Sequence, residues 1–135
     1  MLSLIQIRRE VLTHVLDEAL RLPNMESCGL LAGSDGIISR AFPATNSLAS
    51  ATAYEISPQE LFGIMRDIRA AGLQMLGIYH SHPTGDNSPS SSDISCAYYP
   101  DAAYFIISPL PDSPQPVRAY SIRDGRFTEL KIQPI

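Results

Sequence analysis

The chain has 135 residues, 44% of them apolar and 18% charged, with a net charge of −4 and a sequence pI of about 5.2. That length predicts a single domain over residues 1–135 with a proper core, and the absence of a basic run excludes nucleic acid as the main partner. The apolar start of MLSLIQIRRE is too short for a signal peptide, and no stretch approaches the roughly 18 apolar residues of a membrane span, so a cytoplasmic protein without a membrane partner is expected.

Leu2 to Ile7 reads as a short strand. Arg8 to Leu22 has helical period, with Val11, Leu12, Val15, Leu16, Ala19 and Leu20 on one apolar stripe and His14 on the solvated side; Pro23 stops it. Cys28 to Gly33 and Ile37 to Phe42 form a hairpin around Ser34-Asp35-Gly36, with Pro43 as its end. Ala44 to Ala53 is a loop of small polar residues, and Tyr54 to Ile56 reads as another strand. Ser57-Pro58-Gln59-Glu60 predicts a capping box with proline at the first helical position. Leu61, Ile64, Met65 and Ile68 follow as the apolar face, and Gly72 as the stop.

Met75 to Tyr79 is an apolar strand that runs into GIYHSHPTGDNSPSSSD. Side chains alternate along a strand, so His80 and His82 share a face if it continues. Gly85, Asn87 and Pro89 turn the chain, and Ser90 caps a short helix from about Ser91 to Ala97 that carries Asp93. Ala102 to Ile107 is a buried strand, Ser108 to Pro116 a proline-rich loop, and Val117 to Arg123 and Arg126 to Ile132 flank an Asp124-Gly125 hairpin turn. The elements add up to an α/β (α+β) domain: a mixed sheet of about six to eight strands with helices packed against it. Cys28 and Cys96 have no CxxC spacing and are expected as buried, reduced thiols.

Two imidazoles and a carboxylate with an open fourth position suit a catalytic zinc site. From spacing alone two readings stand: such a site, or two loop histidines that bind nothing. A zinc hydrolase also needs a base, and among fourteen Asp and Glu residues spacing selects none. Glu26 is attractive because it stands where a helix-to-strand connection enters the sheet; a solvated surface carboxylate is the other reading.

The segment HSHPTGDNSPSSSD, with Glu26 upstream in ESCGLLAG, resembles the motif of the JAMM (MPN+, Mov34/PAD-1) metalloproteases. ESCGLLAG, IYHSHP, YPDAAYFIIS and RAYSIRDGRFTE are most similar to the compact bacterial branch, which includes the CysO-cysteine peptidase. The resemblance implies a JAB/MPN-like fold with cytidine-deaminase-like layering: a curved mixed sheet, two main helices and a short helix after the metal loop. It implies one Zn2+ per chain on His80, His82 and Asp93, Glu26 as the residue that activates water, and Ser90 as a donor to the oxyanion. It implies a peptidase or isopeptidase acting on the Gly-Gly tail of a ubiquitin-like sulfur carrier of the ThiS/MoaD/CysO type. A non-catalytic scaffold that binds such a partner is the alternative. A nucleobase deaminase is disfavoured because the HxE…PCxxC signature is missing. The carrier, the released residue and the oligomeric state are not legible.

Overall fold

A computed structural model describes residues 3–135. Among them are seven strands: β1 (Leu4–Ile7), β2 (Cys28–Ser34), β3 (Ile37–Ala44), β4 (Gln74–Ser81), β5 (Ala103–Ile107), β6 (Val117–Arg123) and β7 (Arg126–Pro134). Three helices accompany them: α1 (Arg9–Arg21), α2 (Pro58–Ala70) and α3 (Ser91–Ser95). The strand order is β1-β3-β2-β4-β5-β6-β7, closed into a ring because β1 pairs in parallel with both β3 and β7. The β4–β5 pair is also parallel and the remaining pairs are antiparallel, which gives the mixed, curved sheet expected. Leu2 lies outside the described residues.

The period-2 alternation of the strands divides the interior. Leu31, Tyr79, Phe105 and Ile107 face α1, whose Val11, Val15 and Ala19 complete that core. On the other face, Leu30 and Ala32 pack under Ile64 and Ile68 of α2. Ile78, Tyr104, Ile106 and Ile122 pack beside Ile94 of α3. Both faces of β2, β4 and β5 are therefore covered, and this is why they read as near-continuous apolar runs. No helix among the described residues is long and apolar enough to cross a membrane.

The turns follow their residues. Asp35-Gly36 and Asp124-Gly125 all have positive φ, as a two-residue hairpin with the twist of its flanking strands requires. Gly29 must be glycine for a different reason: a Cβ there would lie 2.5 Å from the Phe42 carbonyl and 2.6 Å from the Tyr79 hydroxyl. The gap lets Tyr79 cross to α1, where its hydroxyl donates to Glu18 Oε1 at 2.6 Å.

Several local expectations fail for tertiary reasons. Pro43 does not end β3, which pairs with β2 as far as Cys28↔Ala44; β1 reaches only Ile37 and Ile38, so Pro43 sits where the other side of β3 has no strand partner. Tyr54 to Ile56 joins no ladder, because Glu55 bonds instead to Asn46 and Ser47 of the preceding loop. Ser57 caps α2, accepting from the Glu60 amide, but the Glu60 carboxylate turns to the Thr45 amide rather than closing a capping box. Leu20 is exposed and Glu18 buried on α1, since the Tyr79 hydroxyl gives the carboxylate a partner inside.

Candidate metal centre

His80 is on β4 and His82 just beyond it. The strand geometry persists through His82 because its amide donates to the Ile107 carbonyl at 2.8 Å, extending the β4–β5 pairing by one residue. The two imidazoles therefore stay on one side, with their Nε2 atoms 3.1 Å apart. Ser81 between them points the other way. Its hydroxyl accepts from the Ser27 amide at 2.8 Å, and the Ser81 amide donates to the Ser27 carbonyl at 3.0 Å.

That pair of bonds continues the antiparallel register of β2 and β4, in which Cys28 stands opposite His80. Counting outward, Ser27 faces Ser81 and Glu26 faces His82. The carboxylate of Glu26 thereby reaches the histidines from 54 residues upstream of His80, and one ligand atom from each of the three lies within 4.8 Å of the others. A register slip of one residue would send Glu26 to the opposite face. The Glu26 backbone is tied in as well: its amide donates to the Ser50 carbonyl, and its carbonyl accepts from Asn46 Nδ2. Asn46 is buried and also bonds the Ser50 and Ala53 carbonyls and the Leu48 and Glu55 amides, so this one side chain organises the loop beside the centre.

Asp93 returns to the histidines by a braced turn. The Gly85 amide donates to the His82 carbonyl, with Gly85 at φ 109°. Asn87 is pinned to the Gln115 carbonyl by its side chain, and its own carbonyl accepts from the Tyr120 hydroxyl. Ser90 then caps α3 in a reciprocal box: its hydroxyl accepts from the Asp93 amide at 3.0 Å, while Asp93 Oδ2 accepts from the Ser90 amide at 2.9 Å. The box aims the carboxylate at the histidines, with Oδ1 3.1 Å from His80 Nε2 and Oδ2 3.1 Å from His82 Nε2.

These donors suit a cation. The Asp86 carbonyl takes the proton on His82 Nδ1, so in the neutral ring the Nε2 lone pair faces Asp93 Oδ2, acceptor against acceptor. Burial disfavours a charged His82, yet the hydrogen bonds to Asp93 and the Asp86 carbonyl outweigh it and raise its pKa: the cluster draws positive charge. Burial pulls His80 down, keeping it neutral and able to ligate. Burial acts to raise the pKa of Asp93, but its bonds with His80 and His82 hold it well below the usual carboxylate range. Two imidazole nitrogens and a carboxylate around one point are a fitting donor set for a metal ion.

Glu26 differs from Asp93. It is 3% exposed, and its Oε1 has no hydrogen-bond partner. Burial pushes its pKa up to about 7; His82 opposes the rise and Asp93 adds to it. A carboxyl poised near neutrality beside a metal-fitting cluster can take up and release a proton.

Ser90, exposed at the start of α3, keeps its O–H free to donate, since only its oxygen is used in the cap. Tyr54 escaped notice in the sequence: its ring stacks on His80 at 4.6 Å between centroids and 24° between planes. His80 Nδ1 is buried without a hydrogen-bond partner, so the stack restrains the plane of this ring, whereas the Asp86 carbonyl also takes the Nδ1 proton of His82. No local signal distinguishes Tyr54 or Asn46; for Ser81 the alternation that puts the histidines on one side already puts it on the other. Cys28 is buried as expected, but Cys96 is exposed at the end of α3, because the helix stops after Ser95 before turning the thiol inward.

The family described as prokaryotic homologues of the JAB domain matches residues 8–123. The chain is 38% identical over 105 residues to a desampylase of Haloferax volcanii, covering 76% of each. It is 34% identical over 125 residues to the CysO-cysteine peptidase of Mycobacterium tuberculosis, covering 91% of this chain and 86% of the relative. Among solved structures, a protein of Desulfitobacterium hafniense superposes with a TM-score of 0.85 at 32% identity, over 97% of this chain and 92% of that one.

Proposed function

The chain belongs to the family of prokaryotic homologues of the JAB domain, and from that premise we propose that it is a zinc-dependent peptidase or isopeptidase. Its substrate is the amide bond at the C-terminal tail of a ubiquitin-like protein of the sulfur-carrier type, ending in Gly-Gly. The relatives named desampylase and CysO-cysteine peptidase support this substrate class. The observation that carries the chemistry is the β2–β4 register, which sets a buried carboxyl of pKa about 7 beside a cluster of two imidazoles and a carboxylate.

His80, His82 and Asp93 would hold one zinc ion per chain, which when bound supplies a Lewis acid for the scissile carbonyl and lowers the pKa of water. Glu26 accepts the proton of the attacking water at its carboxylate and passes it to the leaving amine. The Ser90 hydroxyl donates to the oxyanion as it develops. Tyr54 and the Asp86 carbonyl keep the imidazoles oriented through both proton transfers.

The test joins metal content with cleavage. Wild type should hold about one zinc per chain by elemental analysis, His80→Ala should lose most of it, and Glu26→Gln should keep it. A carrier bearing a C-terminal extension, followed by mass spectrometry, should be trimmed to Gly-Gly by wild type, with Glu26→Gln slower by about 10²–10⁴-fold. Equal zinc in wild type and His80→Ala would overturn the ligand assignment, and full activity of Glu26→Gln would remove it as the base. Binding of the carrier without cleavage would leave a scaffold in place of an enzyme.

A further inference from the structure

A cavity of about 420 Å³ opens beside the cluster on the side of His80 and Asp93. This is within the range of small-molecule sites, roughly 300–1,000 Å³. Its floor is aliphatic, with Leu30, Leu61, Met75 and Ile78 reaching in from β2, α2 and β4, and Tyr54, Tyr99 and Tyr104 form its walls. Glu55 and Asp93 are its acidic groups, and among the described residues no lysine or arginine lines it.

Resting on the function proposed above, the occupant follows from the chemistry of the scissile bond. A Gly-Gly tail brings no side chain to the acyl side of the junction, so a pocket bordering the metal-fitting residues has nothing to take from the last two residues of the carrier. The group across the bond can fill it. That group must be largely apolar, to match the floor and walls. It must also lack a free carboxylate beside the leaving nitrogen, since no lysine or arginine lines the cavity to receive such a charge and Glu55 would oppose it.

We propose that this cavity is the leaving-group subsite, and that it selects an aliphatic residue whose own carboxyl is tied up in an amide over a terminal amino acid with a free carboxylate. Leu61 is its main size determinant. It projects from the first turn of α2 and is only partly buried.

The experiment uses the zinc-loaded full chain and one Gly-Gly carrier extended in three ways: by leucine amide, by glycine amide, and by leucine with a free carboxylate. One or more methylenes in an apolar pocket are worth about 10–200-fold in kcat/KM. Leucine amide should therefore be released at least about tenfold faster in kcat/KM than glycine amide, and faster than the free acid by a similar factor. Leu61→Trp, which narrows the cavity, should abolish the advantage of leucine amide over glycine amide, with zinc content near wild type. Glu55→Lys should raise cleavage of the free acid. If wild type cuts the three extensions within about twofold of one another, or prefers the free acid, the subsite assignment falls and the peptidase reading stands. If none is cut, the peptidase reading itself falls.

Discussion

Ser81 lies between the two histidines and is directed away from them, and its replacement by alanine tests what holds Glu26 in place. The hydroxyl is fully buried and accepts from the Ser27 amide at 2.8 Å. Ser81→Ala leaves that amide buried without an acceptor, at a cost of about 1–3 kcal/mol. Unfolding entropy near 2.1 cal/mol/K per residue gives about 0.28 kcal/mol/K for a chain of 135 residues, so Tm should fall by about 4–11 °C. Ser27→Ala is the control. The Ser27 hydroxyl is also buried but has no partner, so its removal should be neutral or mildly stabilising. Because Ser27 adjoins Glu26, Ser81→Ala should also reduce kcat by about tenfold or more through misplacement of the carboxylate, with zinc content unchanged. Thermal melts followed by circular dichroism, elemental analysis and carrier cleavage measure the three effects. A Tm for Ser81→Ala no lower than that for Ser27→Ala would refute the argument.

Two further substitutions probe the support behind β4. Gly29→Ala places a methyl against the Phe42 carbonyl and the Tyr79 ring, both backed by packed core, and should cost about 1–3 kcal/mol in urea unfolding; a neutral result would mean Tyr79 does not need the gap. Burial raises the pKa of Glu18 above 4.5, with the Tyr79 hydroxyl, His14 and Arg21 opposing the rise. The folded chain thus holds this proton more tightly than the unfolded chain. The resulting stabilisation is fully present below pH 4.5 and is lost as pH rises through the folded value. Wild-type stability relative to Glu18→Gln should therefore decline from pH 4.5 upward, and a difference independent of pH would show that Glu18 is not the group responsible. Exposed Cys96 lines the cavity, whereas burial pushes the Cys28 thiol up to about 12. A bulky maleimide should therefore label Cys96 alone and slow release of an aliphatic leaving group, with peptide mapping to locate the adduct; unimpaired turnover of a fully labelled protein would place the subsite elsewhere.

What the amino-acid order determined by itself is everything that local rules govern. Alternation along an apolar strand put His80 and His82 on one side, turn residues folded the next segment back, and a serine three residues before an aspartate made the cap that aims Asp93. The same rules mark the DG hairpins and the apolar stripe of α1. Tertiary structure decided which strands became neighbours, and with that the other half of the centre. Periodicity identifies the face a residue occupies, but not the strand it will stand beside, because register is set by contacts between distant segments. Glu26 could be drawn toward the histidines from a family likeness, yet only the Cys28↔His80 pairing gives the physical cause. For the same reason Tyr54, legible as a strand residue, became instead the brace of His80. Asn46, in a stretch without pattern, became the residue that orders the loop around Glu26, and Cys96, expected in the core, came to line the cavity.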